Sequence, residues 1–168
     1  LTVLYGSLNY LSYHVPPAWV LWFLRITIFS AVWHAFSSFQ LFYVFPSESV
    51  IFSRKYVRGL VPLVTIVSFV TLTPFVFSGV AIFPSLENAG TAKYGPLIPI
   101  FGITVILLVF IGLFLLIKKT FRATETERSA FRLMSLGAFL TFSLIIVFNF
   151  IFPVVFDNVR FLPFAPVW

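Results

Sequence analysis

The feature that most constrains this chain is its succession of long apolar runs, at residues 18–45, 60–83, 97–117 and 131–152. A bilayer hydrocarbon core of about 30 Å is crossed by about 20 helical residues rising about 1.5 Å each. Each of the four runs meets that length. The segments between them, residues 46–59, 84–96 and 118–132, carry the Pro, Gly, Ser and charges of water-facing connections. Residues 1–13 and 161–168 are shorter apolar stretches and read as pieces of helices. A β-barrel alternates apolar and polar residues along each strand, whereas residues 103–117 are apolar almost without interruption. The expected fold is therefore all-α: a polytopic transmembrane helix bundle with four complete spans and partial helices at both ends, forming one domain over residues 1–168.

Composition supports a lipid-facing exterior. The chain is 60% hydrophobic and 10% charged, with a mean hydropathy of +1.06. Soluble domains are roughly 45 to 50% apolar and about 25% charged, and a core of this size cannot hide the excess. The net charge of +6 raises the question of nucleic acid, but the basic residues collect in two short segments and form no stripe interleaved with aromatics. Nucleic acid is not an expected partner.

Those basic segments orient the chain, because Lys and Arg near helix ends resist translocation while Asp and Glu count for little. Arg54, Lys55 and Arg58 follow the first full run, and Lys118, Lys119, Arg122, Arg128 and Arg132 follow the third. Residues 46–59 and 118–132 are accordingly expected in the cytoplasm. Residues 84–96 and 153–161, with only Lys93 and Arg160, are expected outside, as is the turn at residues 14–17. The run from Phe161 then leads inward, so whatever follows Trp168 would emerge in the cytoplasm. The chain opens with Leu1 and shows no signal peptide, and it reads as a fragment of a longer protein. With no Cys, it has no disulfides, thiolate metal ligands or Cys nucleophile.

Few residues could carry chemistry. There is no Gly-rich phosphate loop, metal-ligand spacing or nucleophile elbow, and no cofactor is expected. Glu48, Glu87, Glu125, Glu127 and Asp157 all fall in connecting segments, which argues against a carboxylate relay inside the membrane. Arg25 is the charge well inside a span. It is either a functional group with a buried partner or a long side chain snorkelling to the outer headgroups; Trp22, Phe29, Val32 and Phe36 share its face and offer no counter-ion. On the opposite face Thr27, Ser30, His34, Ser37 and Ser38 fall in one narrow sector, with Ala31 and Ala35 beside them. Tyr5, Asn9 and Ser12 repeat a polar stripe on the preceding helix piece. Such stripes serve either close helix packing or a polar internal pocket, in which His34 could titrate. Asn149, ahead of Pro153, can bond to a neighbouring helix or to carbonyls that the proline frees.

The chain resembles the N-terminal seven-helix sensor region of bacterial histidine kinases. The likeness rests on Tyr94, Gly95, Pro96 and Leu97 before a long apolar helix, then on Lys118, Lys119, Glu127 and Arg128 leading into Arg132, Leu133, Met134, Ser135, Leu136 and Gly137. Asn149 with Pro153, and Phe161, Leu162, Pro163, Phe164, Ala165 and Pro166, match the family's sixth helix and the start of its seventh; Arg25 looks like the Arg of the third. The resemblance implies the end of helix two, helices three to six, and the start of helix seven. It also implies a C-terminal cytoplasmic output domain as partner beside the lipid bilayer, with a homodimer left open, in the bacterial cytoplasmic membrane. No phospho-accepting helix or ATP-binding domain is present, so the segment itself is not expected to be an enzyme.

The expected function is a transmembrane sensory module that detects a small or membrane-associated signal and relays it to that output domain. A transporter or channel subunit is the alternative, although neither an inverted repeat nor broken helices are evident. An intramembrane enzyme is disfavoured by the shortage of buried nucleophiles, acids and metal ligands.

Overall fold

The computed structural model describes residues 2–12, 14–46, 52–54, 56–82 and 90–147. In chain order these form α1 (Thr2–Ser12), α2 (Pro17–Val44), a π-helical turn (Tyr56–Leu60), α3 (Val61–Thr71), β1 (Phe77–Ile82), β2 (Gly90–Tyr94), α4 (Ile98–Arg122) and α5 (Glu125–Ile146). The protein is mostly helical, and α2 and α4 are long and apolar enough to cross a membrane.

Prolines set the helix starts. Pro17, Pro62 and Pro99 occupy the first two positions of α2, α3 and α4, where the missing N–H has no intrahelical partner to lose. Glu127 sets the start of α5: its Oε2 accepts from the Thr124 backbone N–H at 3.4 Å and from the Thr124 hydroxyl at 2.9 Å, within a capping box.

Helix α2 is the centre of the bundle, packed against α1, α3, α4 and β1. Its Val32, Ala35, Phe36 and Phe39 form a core with Tyr56, Val64 and Val67 on one side and Leu108 of α4 on the other. Further along, Phe42 meets Leu116, Phe131 and Ala138. The buried side of α4 is the ridge Leu108, Gly112 and Leu116, spaced by four residues. Gly112 allows close approach to α2, because a Cβ there would lie 3.0 Å from Phe42 Cδ2 and 3.4 Å from Phe39 Cα.

The second expected span is the main correction to the sequence reading. Residues 60–83 are not one helix: α3 ends at Thr71, a turn follows, and β1 begins at Phe77. Pro74 accounts for the break, since a proline disfavours the helical conformation of the residue before it, here Thr73. β1 pairs antiparallel with β2 from Phe77↔Tyr94 to Ile82↔Gly90, with a register irregularity between Phe77 and Gly79. The fold is thus helical with a two-stranded hairpin rather than all-α, and four complete spans are not shown. Gly95 closes the hairpin: its N–H donates to the Val76 carbonyl at 2.8 Å, while a Cβ would overlap the Phe75 carbonyl. The expected loop at residues 118–132 is also mostly helix, broken only at Ala123 and Thr124.

Candidate functional site

Two polar features lie on opposite sides of α2. On the first, Arg25 is buried, with 6% exposure. Its Nη2 donates to the Phe77 carbonyl of β1 at 2.7 Å, and its Cζ lies 5.4 Å from the Trp22 ring centroid. The buried Nε has no hydrogen-bond partner among the described residues. The snorkelling alternative therefore gives way to a protein partner, which is a backbone carbonyl of the hairpin and not a carboxylate.

The second feature is the polar stripe. Thr27 and Ser30 are buried, and His34, Ser37 and Ser38 are half-buried. Tyr5 of α1 stacks on His34 with ring centroids 5.8 Å apart and planes 12° from parallel. The two stripes therefore face each other at that point. The Thr27 hydroxyl donates to the Phe23 carbonyl at 2.8 Å, so this group is satisfied on its own helix. Asn9 and Ser12 belong to α1, but their side chains lie outside the described residues, as does Asn149 altogether. Arg25 is not brought to this seam; α2 separates them.

Sequence reasoning missed three arrangements. The first is a clasp at the C-terminal end of α2, where Lys119 Nζ donates to the carbonyls of Phe42 at 3.2 Å, Tyr43 at 2.5 Å and Phe45 at 2.5 Å. The last carbonyls of a helix have no intrahelical donor, and a cation there also suits the negative end of the helix dipole. The second is a set of near-parallel rings around Tyr56, with Phe52 at 4.6 Å, Tyr43 at 5.7 Å, and Phe36 and Phe39 both at 6.2 Å. The third is the hydroxyl pair Thr120 and Ser135, 3.0 Å apart across α4 and α5. Only the spacing of Thr124 and Glu127, three residues apart, could have signalled that α5 begins so early.

The clasp, together with the edge-to-face contact of Phe45 and Phe131 at 4.9 Å, gathers the C-terminal ends of α2 and α4 and the first turns of α5 at one end of the bundle. There Lys118, Arg122, Arg128 and Arg132 are exposed. Arg25 and the hairpin lie toward the other end, since the helix from Arg25 to Val44 rises about 28 Å. Among the described residues no group of three or more His, Cys, Asp or Glu could hold a metal ion. No family model, curated protein or solved structure matches this chain.

Proposed function

We propose that the chain is a transmembrane sensory module, of the kind that forms the input region of bacterial histidine kinases, relaying a small or membrane-associated signal to a cytoplasmic output domain. Its membrane character is supported by the outward side of α4. Ile103, Ile106, Leu107, Phe110, Phe114 and Ile117 are all exposed, with Phe110 at 65% and Phe114 at 64%. A soluble protein does not leave a contiguous apolar face of that extent bare, and the core helix of a soluble protein would be covered on this side as well. Leu133, Leu136, Phe139 and Leu140 continue the same character on α5.

The observation that carries the sensory reading is the position of α2. This 28-residue helix touches the hairpin through Arg25, the α1 seam through His34 and the basic end of the bundle through the clasp at its C-terminus. At about 1.5 Å per residue it extends about 42 Å, enough to link one face of a bilayer to the other. A shift of α2 relative to α1 or the hairpin would move its C-terminal end, and with it α4 and the α5 start. Coupling of this kind needs a packed element with two arrangements that both ends bias, and α2, which contacts both ends, is the element we assign to that role.

The test uses the full-length protein in a transcriptional reporter, with stimulus titrations of His34→Ala and Ser37→Leu beside thermal melts in detergent. A sensing seam shifts the dose response of at least one variant while its melting stays near wild type. An unchanged titration for both rejects the seam, and solute flux in proteoliposomes without any output would reject the sensory role in favour of transport.

A further inference from the structure

We propose that Arg25 anchors an oxyanion site between α2 and the β1–β2 hairpin, taking the carboxylate or phosphate of a small acid or of an anionic lipid headgroup. A guanidinium offers five N–H donors in a planar fork. The Phe77 carbonyl takes one of them, and the buried Nε donor has no partner among the described residues. A carbonyl contributes a partial charge only, so the full positive charge, at 6% exposure, is not neutralised by the described residues around it. A carboxylate or phosphate supplies both the opposite charge and the paired acceptor oxygens that suit the fork.

The described acids do not meet this need. They are Glu125 and Glu127, both exposed in the first turn of α5, at the far end of the bundle from Arg25. The guanidinium packs against the ring of Trp22, which is itself 50% exposed. Phe77, the residue whose carbonyl receives Arg25, borders the register irregularity of the hairpin, where the strand ladder is interrupted. An anion bound there contacts α2 through Arg25 and adjoins the strand that Arg25 holds. The site thereby deepens the sensory reading and rests on it for the identification of the anion as a stimulus.

The experiment uses the whole chain in phosphatidylcholine nanodiscs, titrated with sodium phosphate or sodium acetate against sodium chloride at constant ionic strength. A second set of nanodiscs contains phosphatidylglycerol. The readouts are the thermal midpoint and intrinsic tryptophan fluorescence, to which Trp22 contributes. A response to phosphate or acetate in phosphatidylcholine assigns the site to a soluble anion, and a response to phosphatidylglycerol alone assigns it to a headgroup; both support the proposal. Arg25→Lys keeps the charge but removes the fork, and is expected to bind about tenfold more weakly or worse. No response from either source overturns the site, as does a response that Arg25→Lys retains in full. A Glu87→Gln variant that gains phosphate binding absent from the wild type also overturns it, because Glu87 would then be the resident partner. Anion binding on the purified protein with no effect on reporter output would remove the sensory reading and leave the site standing; the reverse pattern would remove the site alone.

Discussion

Replacing Lys119 by Met isolates the clasp at the end of α2. The last four carbonyls of that helix belong to Leu41, Phe42, Tyr43 and Val44, and the Phe45 N–H serves Leu41 at 2.9 Å. Lys119 serves Phe42 and Tyr43 and also reaches Phe45. Met keeps the aliphatic stem and its packing but deletes the ammonium, leaving these carbonyls without their donor. A hydrogen bond involving a charged group is worth about 1.5 to 3 kcal/mol, and the dipole contribution of a partly buried cation is up to about 2 kcal/mol. Lys119 is half-buried and its three bonds share one ammonium, so the contributions do not add in full. A net loss of about 2 kcal/mol is expected, which for a chain of this size lowers the melting midpoint by about 4 to 8 °C.

The assay is a detergent melt of Lys119→Met beside Lys118→Met. Lys118 is exposed, and its loss should leave the midpoint within about 1 to 2 °C of wild type, as for most surface substitutions. Equal effects of the two substitutions would refute the clasp and return both lysines to the role of orienting charges. Equal effects at low salt that vanish at high salt would point to the same refutation, because a bond to half-buried carbonyls is screened far less than a surface field.

Gly95→Ala places a Cβ on the Phe75 carbonyl and within 2.8 Å of Pro74 O, so it is expected to lower the midpoint more than Gly112→Ala, where the flexible Phe42 ring is the nearest atom at 3.0 Å; equal melts would refute that ordering. Gly102→Ala and Gly137→Ala meet nothing within 4 Å and should stabilise their helices by about 0.5 to 1 kcal/mol each, read in the same melts. Single Cys residues at Ser53 and Thr124 should resist an impermeant thiol reagent in intact cells, while Cys at Lys93 should label; the opposite pattern inverts the topology.

The parts of the fold legible in the sequence are those whose cause is local. The runs at residues 18–45 and 97–117 are legible because apolar length alone suffices to place α2 and α4. At residues 60–83 apolarity concealed two different backbones, since Val, Phe and Ile serve α3 and β1 alike; the deciding signal was Pro74, which continuity of hydropathy ignores. In residues 118–132 the charges suggested a loop, whereas Thr124 and Glu127 carry the signature of a helix start.

The cations show where legibility ended. Arg25 and Lys119 are both visible as charges; the sequence leaves Arg25 between a buried protein partner and snorkelling, and gives Lys119, read as an orienting loop charge, no partner at all. Each found one, because in an apolar surrounding a backbone carbonyl left over by a helix end or a strand irregularity is itself an acceptor in need of a donor. Arg25 reaches one 52 residues away, and Lys119 reaches three that lie 74 to 77 residues away. Every residue carries a carbonyl, so nothing in the side-chain sequence marks which ones are free; that follows only from where helices stop and strands slip. The same reasoning separates the two cations. Lys119 is half-buried and spends its donors on three carbonyls, whereas Arg25 is buried with Nε still open among the described residues. A helix-capping role accounts fully for the first, while the second has donor capacity that the hairpin carbonyl does not use.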